Sequence, residues 1–135
     1  RLRTSILIET ENTVISIDAG PDFRQQILRA GVKRLDAILI THEHKDHIAG
    51  LDDVRPFVFL QQSPMKVYAS SDAQEEIKRE FSYAFAKHDE RYPGAPSFDI
   101  IDINGDQIII KDLIIEPIKL KHFTLNSYAF TISHM

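Results

Sequence analysis

A chain of 135 residues, 43% hydrophobic and 27% charged, has the size and balance of one globular domain with a real core. The net charge of −4 argues against a surface built mainly to hold nucleic acid, and the lack of cysteine excludes disulfides and thiolate zinc sites within this stretch. No apolar run approaches the ~20 residues that span a membrane, so no membrane partner is expected, and a cysteine-free chain is compatible with the cytoplasm, the expected location.

The pattern alternates strands with helices, which predicts an α/β fold. Ser5–Glu9 and Val14–Asp18 are rich in β-branched residues and flank Glu11-Asn12, so they predict a hairpin. Pro21 opens a helix with Asp22 in its first turn, Phe23, Ile27 and Leu28 at helical spacing, and Gly31 where a C′ residue belongs. Ala37–Ile40 is a short buried strand. His47–Gly50 begins a turn or short helix, and Leu51–Leu60 continues helically with a break at Pro56. Met65–Ala69 is a strand, and Asp72–Phe85 a long helix capped by Ser70 or Ser71, with Glu75 and Glu76 near its positive end. Lys87–Ser97 holds Pro93, Gly94 and Pro96 and reads as a loop. Phe98–Ile103, Gln107–Ile110 and Leu113–Leu120 are strands joined by turns at Asn104-Gly105 and Lys111-Asp112, and Tyr128–Ile132 is the last strand.

The chemistry concentrates in Thr41-His42-Glu43-His44-Lys45-Asp46-His47, where four potential metal ligands directly follow the Ala37–Ile40 strand. On a helix His42 and His44 would point to nearly opposite sides. An extended segment puts i and i+2 on one side, so these two can grip one ion while Asp46 and His47 turn toward a second. Imidazole nitrogen with carboxylate oxygen suits Zn²⁺ and similar divalent ions. The bland alternative is a polar loop that happens to be rich in histidine; four potential ligands at this spacing weigh against it.

Other residues have bland first readings. His88 lies in a polar loop and reads as solvated. His134 is assigned to structure or solvent. Asp52 and Asp53 read as capping or surface acids, and Arg55 either pairs with them or touches an anionic substrate. Glu75, Glu76, Lys78, Arg79 and Glu80 form the wet face of an amphipathic helix, while Phe81, Tyr83 and Phe85 default to core packing.

The motif Thr41–His47, followed by Ala49-Gly50-Leu51, resembles the HxHxDH signature of the metallo-β-lactamase superfamily. Ile17-Asp18-Ala19-Gly20 resembles the strand-ending Asp-x-Gly that these proteins place beside the metal loop. The longer strings Asp18–Arg24 and Gly50–Phe57 are similar to the PhnP-like phosphodiesterase branch. The resemblance implies a four-layer αββα sandwich, with mixed sheets and flanking helices. It implies that residues 1–135 are an incomplete hydrolase domain, without the opening strand and the C-terminal portion that carries a bridging aspartate and a final histidine. By the same resemblance His42 and His44 match first-site ligands, Asp46 and His47 match second-site ligands, and His122 matches the third ligand of the first site. Asp18 and Thr41 would support the metal loop by hydrogen bonding.

The implied cofactors are two divalent metal ions in the intact protein, Zn²⁺ first and Mn²⁺ as the alternative, with one or none held by this stretch alone. The implied activity is metal-dependent hydrolysis of a small or cyclic phosphodiester by metal-activated water, with Asp46 as the catalytic carboxylate that also orients the nucleophile. Three alternatives stand beside it: a tRNA 3′-end-type endoribonuclease, a thioesterase or lactonase, and a metal-binding module without turnover. The expected partner is a small-molecule phosphodiester; nucleic acid is disfavoured, and a homodimer is compatible with the sequence.

Overall fold

The computed structural model describes residues 1–135, apart from the side chain of His122. Strand β1 (Ile6–Glu9) pairs antiparallel with β2 (Val14–Ile17), placing Ile6 opposite Ile17 and Glu9 opposite Val14. Helix α1 (Phe23–Ala30) follows and stops at Gly31, whose φ of 65° is the left-handed turn-off that glycine adopts without strain. Strand β3 (Ala37–Leu39) runs parallel to β2 and is buried throughout. The chain then passes through the short helix α2 (Lys45–Ile48), a 3₁₀ turn at Leu51–Val54, and helix α3 (Arg55–Gln61).

Strand β4 (Met65–Ala69) runs parallel to β3, helix α4 (Ser71–Glu80) follows, and β5 (Phe98–Asp102) closes the sheet parallel to β4. The five strands lie in sequence order. Strands β6 (Ile108–Ile110), β7 (Leu113–His122) and β8 (Leu125–His134) form a second, antiparallel sheet.

Period-two alternation divides the interior into two cores. Val14, Ile38, Ile40, Met65 and Val67 face Phe23, Ile48, Leu51, Phe57 and Ile77 of the helical side. Ile15, Ala37, Leu39 and Tyr68 face Ile108, Ile110, Leu113, Ile115 and Tyr128 of the second sheet. Because β3 is covered on both faces, its residues are apolar without alternation, as parallel strands require. The described residues thus form three layers of the expected sandwich, helices, mixed sheet and antiparallel sheet; a fourth, helical layer is not among them.

Several boundaries differ from those the sequence predicts. Pro56 does not interrupt a helix; it sits in the first turn of α3, where its missing N–H has no partner to lose. The expected helix Asp72–Phe85 ends at Glu80 and gives way to a 3₁₀ turn at Ser82–Ala84. Leaving the helix lets Phe81 and Phe85 reach the Phe98 ring, with centroids 6.3 and 5.8 Å away, so packing outweighs propensity there. Ser70 is the cap of α4: its hydroxyl accepts from the Ala73 N–H. Strands β7 and β8 pair without a break from Leu113↔His134 to His122↔Leu125, further than Leu113–Leu120 and Tyr128–Ile132. Their tip carries Lys121, Asn126 and Ser127, so backbone pairing outruns the apolar pattern.

At the ends of β2 and β3 where the chain enters them, the two sheets are pinned by one carboxylate. Asp112 accepts from the hydroxyls of Thr10 and Thr13 and lies 2.9 Å from Nε2 of His134, which accounts for that histidine. Lys111 reaches Asp36 at 2.7 Å beside it. The hydrogen bonds from Thr13, and then from Thr10 and His134, hold the Asp112 carboxyl well below the usual carboxylate range. A depressed folded value means that this contribution is present above the unfolded pKa and is lost as pH falls through the folded one. Asp112→Ala should therefore lower the thermal midpoint at neutral pH, with the difference from wild type shrinking in acid. Scanning calorimetry of both proteins from neutral to strongly acidic pH tests this, and equal midpoints at neutral pH would refute it.

Candidate metal centre

The histidine loop begins where β3 ends, at the carboxyl edge of the parallel strands, where open α/β sheets place their sites. Three backbone hydrogen bonds fix its position. Asp18 N–H donates to the Leu39 carbonyl, Ala19 N–H to that of His47, and Gly50 N–H to that of Ala19, at 2.8, 2.8 and 2.9 Å. A fourth, from Tyr128 N–H to the Thr41 carbonyl at 2.9 Å, ties the loop to β8 and sets it at the seam between the sheets.

Asp18 is the organising side chain. It is buried, and its φ of 64° places it in the left-handed region that few residues other than glycine adopt. One carboxylate oxygen accepts from the Thr41 N–H at 2.8 Å. The other accepts from the Thr41 hydroxyl at 2.7 Å and lies 2.6 Å from Nδ1 of His47.

This network decides the tautomers. A carboxylate can only accept, so His47 carries its proton on Nδ1 and its lone pair on Nε2. The Thr41 hydroxyl has spent its one proton on Asp18, so toward Nδ1 of His42, 3.0 Å away, it accepts; His42 likewise keeps its lone pair on Nε2. Both rings are thereby set to bind a cation through Nε2, with the opposite nitrogen oriented by the protein.

The imidazoles gather closely. The His42 centroid lies 4.6 Å from that of His44 and 4.0 Å from that of His47. Nε2 of His47 is 3.4 Å from a carboxylate oxygen of Asp46. Two donors at about 2.1 Å from a tetrahedral ion stand about 3.4 Å apart, so this pair is spaced to share one. Among the described residues no three acid or histidine side chains are yet spaced around a single ion. His122 ends β7, and its side chain lies outside the described residues. In donor type and in the Asp46–His47 spacing, the residues present fit a divalent cation.

The titration of the two oriented histidines diverges. The hydrogen bond to Asp18 raises the His47 pKa above the ordinary imidazole value, against the opposing effect of burial. Burial, then the neighbouring His47 and His44, lower that of His42. Without metal, a falling pH protonates His47 first, and His42 resists.

Two glycines hold the loop at a distance no larger residue allows. A Cβ on Gly20 would stand 2.2 Å from the Asp46 carbonyl oxygen. A Cβ on Gly50 would stand 2.1 Å from the Gly20 carbonyl oxygen and 2.6 Å from the Phe23 Cβ. Their place in the motif was visible in the sequence; their function as spacers required the fold. A small cleft of about 250 Å³ adjoins His42 and His47, walled by Thr4, Ser5, Ser127 and Tyr128, which the sequence did not mark.

The remaining polar residues fall elsewhere. Asp52 receives both Nε and a terminal nitrogen of Arg55 at 3.0 and 2.7 Å, together with the Tyr83 hydroxyl at 2.5 Å. Burial works to raise the Asp52 pKa, but the hydrogen bonds of Arg55 and Tyr83 outweigh it and hold the carboxyl low. Arg55 also donates to the Gly94 carbonyl at 3.0 Å and lies over the Tyr92 ring, so it pairs with the acid and anchors the following loop. His88 is exposed, and Phe81, Tyr83 and Phe85 pack against the helical-side core.

Residues 13–134 match the family described as the Beta-lactamase superfamily domain, and the chain belongs to that family. A solved structure described as a new diphosphatase from the PhnP family superposes with a TM-score of 0.84 at 30% identity, covering 98% of this chain and 49% of that one. The chain is 39% identical over 137 residues to an octanoyltransferase of Porphyromonas gingivalis, all of this chain against 27% of that protein. A ribonuclease Z of Bradyrhizobium diazoefficiens is 40% identical over 65 residues, 47% of this chain and 22% of that protein. The chain thus spans about a quarter of these two curated relatives and about half of the solved structure.

Two outcomes follow. Asp18→Asn weakens the acceptor that holds the His47 proton, so in metal-free protein the His47 midpoint should fall toward the ordinary imidazole value. Metal affinity should drop by about 10–100-fold. Histidine ¹⁵N NMR titration and competition with a chelating dye measure the two, and an unmoved His47 midpoint counts against the network. Gly20→Ala forces backbone apart, which should cost about 1–3 kcal/mol in chemical denaturation and lower metal content. Wild-type stability with full metal content would contradict the spacer function.

Proposed function

We propose that the full protein is a metal-dependent hydrolase acting on small or cyclic phosphodiesters. The observation that carries this reading is the pair of oriented histidines: His47, whose Nδ1 proton Asp18 holds and whose Nε2 lies 3.4 Å from Asp46, and His42, whose Nδ1 proton Thr41 holds. The 30% identity to a PhnP-family diphosphatase along nearly the whole chain supports a phosphoryl substrate. Divalent ions held there, Zn²⁺ by preference of the donors, lower the pKa of water and offset negative charge on phosphoryl oxygens.

The chain's own residues have separable tasks. His42, His44 and His47 offer neutral imidazole nitrogens, Asp46 a carboxylate, and His122 is the further ligand by motif order. Asp46 also orients the attacking water. Asp18 holds the His47 ring in one tautomer and one direction, so no reorganisation is needed when the site fills. Thr41 passes the same constraint to His42. Asp46 and His47 would form one set of donors, and His42 and His44, with His122 by motif order, the other.

A second reading is hydrolysis of an acyl ester or thioester, favoured by the 39% identity to the octanoyltransferase. That relative is matched over only 27% of its length, so its acyl chemistry bears on this domain less directly than the diphosphatase likeness does. RNA cleavage, the activity named for the ribonuclease Z relative, calls for a basic docking surface that a chain of net charge −4 does not advertise.

Full-length protein, its metals quantified, should hydrolyse a chromogenic phosphodiester faster than octanoyl thioester or precursor tRNA. His44→Ala and Asp46→Ala should each bring that rate to background and reduce bound metal. Turnover of the thioester alone would select the second reading, and undiminished phosphodiesterase activity in either variant would sink the first.

A further inference from the structure

Strands β7 and β8 continue past the place where the two sheets are joined. The Tyr128 N–H meets the Thr41 carbonyl at the seam, and three further residue pairs follow, ending at His122↔Leu125. At about 3.4 Å per residue the hairpin stands about 10 Å beyond that bond, beside the histidine loop. Residues opposite each other in an antiparallel pair share a face. Tyr128 belongs to the core between the sheets, so Lys119 opposite it, and Lys121 opposite Asn126, lie on the face turned toward the first sheet. Both lysines are exposed, and the histidine loop emerges from that first sheet. A cationic edge therefore borders the candidate metal centre.

The turn that closes the hairpin is unusual. It has two residues, Phe123 and Thr124, and begins one position after His122, the further ligand by motif order. Phe123 has a φ of 56°, a left-handed conformation that hairpin turns ordinarily fill with glycine, asparagine or aspartate. A bulky residue there carries backbone strain. Burial does not offset it: at 90%, Phe123 is the most exposed large apolar side chain among the described residues. Strain without burial points to a contact with something that arrives from outside.

We propose that the hairpin tip is a recognition wall for the substrate, with Lys119 and Lys121 attracting the phosphoryl group and the Phe123 ring packing against a planar aromatic group on the same ester. The phosphoryl part rests on the phosphodiesterase reading above; the planar group rests on the hairpin. A phenyl ring at the mouth of a cation site favours an ester that carries a base or aryl group over one that carries a short alkyl group, because stacking adds contact that a methyl group lacks. The lysines act on both kinds alike.

The test uses full-length protein loaded with zinc. Calorimetric titration compares thymidine 5′-phosphate with methyl phosphate, which share the phosphoryl group and differ in the base-bearing part. Phe123→Gly gives the turn the residue its backbone favours, so its thermal midpoint should equal or exceed that of wild type, with metal content unchanged. Its affinity for thymidine 5′-phosphate should fall about tenfold, while that for methyl phosphate stays within about twofold. Lys119→Gln combined with Lys121→Gln should weaken both ligands by the same factor. A lower thermal midpoint in Phe123→Gly would make the residue structural and overturn the proposal. So would equal losses for the two ligands, an unchanged affinity for thymidine 5′-phosphate, or a lysine variant that binds as wild type does. A wild type that binds neither phosphate, or prefers neither, would overturn it as well. Turnover is scored separately: a wild type that binds thymidine 5′-phosphate through Phe123 yet hydrolyses no phosphodiester would sink the hydrolase reading and leave the wall standing.

Discussion

The arrangement of the site depends on one buried carboxylate. Asp18 receives a backbone N–H, a hydroxyl and an imidazole N–H, and so fixes the start of the loop, the Thr41 rotamer and the His47 ring together. Each donor is useful because the others are satisfied: with its proton committed to Asp18, the Thr41 hydroxyl has only lone pairs to offer His42. A buried polar cluster with every member answered is rigid, and one with a member missing is costly. The left-handed backbone at Asp18 belongs to the same economy of space, since it turns the chain out of β2 toward Gly20 while the side chain stays beneath the histidines.

The scaffold supplies what that carboxylate cannot. Parallel β2, β3 and β4 end at one edge, and their buried faces leave the chain only one direction in which to emerge as a polar loop. Gly20 and Gly50 let two backbone segments lie against each other at a separation any Cβ would forbid. The Tyr128 N–H brings the second sheet to Thr41. At the other end of the sheets, Asp112 gathers Thr10, Thr13 and His134. The two sheets are therefore joined by hydrogen bonds at both ends of a common apolar layer, and the histidine loop occupies one of the joints.

Much of this was legible in the residues. Val14–Ile17, Met65–Ala69 and Phe98–Asp102 are apolar or alternating runs between turn residues, and they fold as such. Less legible were segments where packing competes with local preference. The stretch after Glu80 keeps a helical pattern, yet its aromatic rings gain more by packing against Phe98, Phe81 edge-on and Phe85 stacked. Pro56 carries the same lesson: a proline ends one segment or begins the next, and only the 3₁₀ turn before it decides which.

By itself the sequence determined the α/β alternation and marked the candidate ligands, because side-chain periodicity and donor type are properties of neighbours along the chain. The spacing of His42, His44, Asp46 and His47 is what made them candidates for cation binding. Which ring nitrogen His42 and His47 present, which glycines must remain glycines, and that Tyr83 reaches Asp52 were decided only in three dimensions. Those facts rest on hydrogen bonds and close approaches between residues about 20 to 30 positions apart, such as Asp18 with His47, Gly20 with Asp46 and Asp52 with Tyr83. A linear pattern carries no information about distance between such residues until the sheet brings them together.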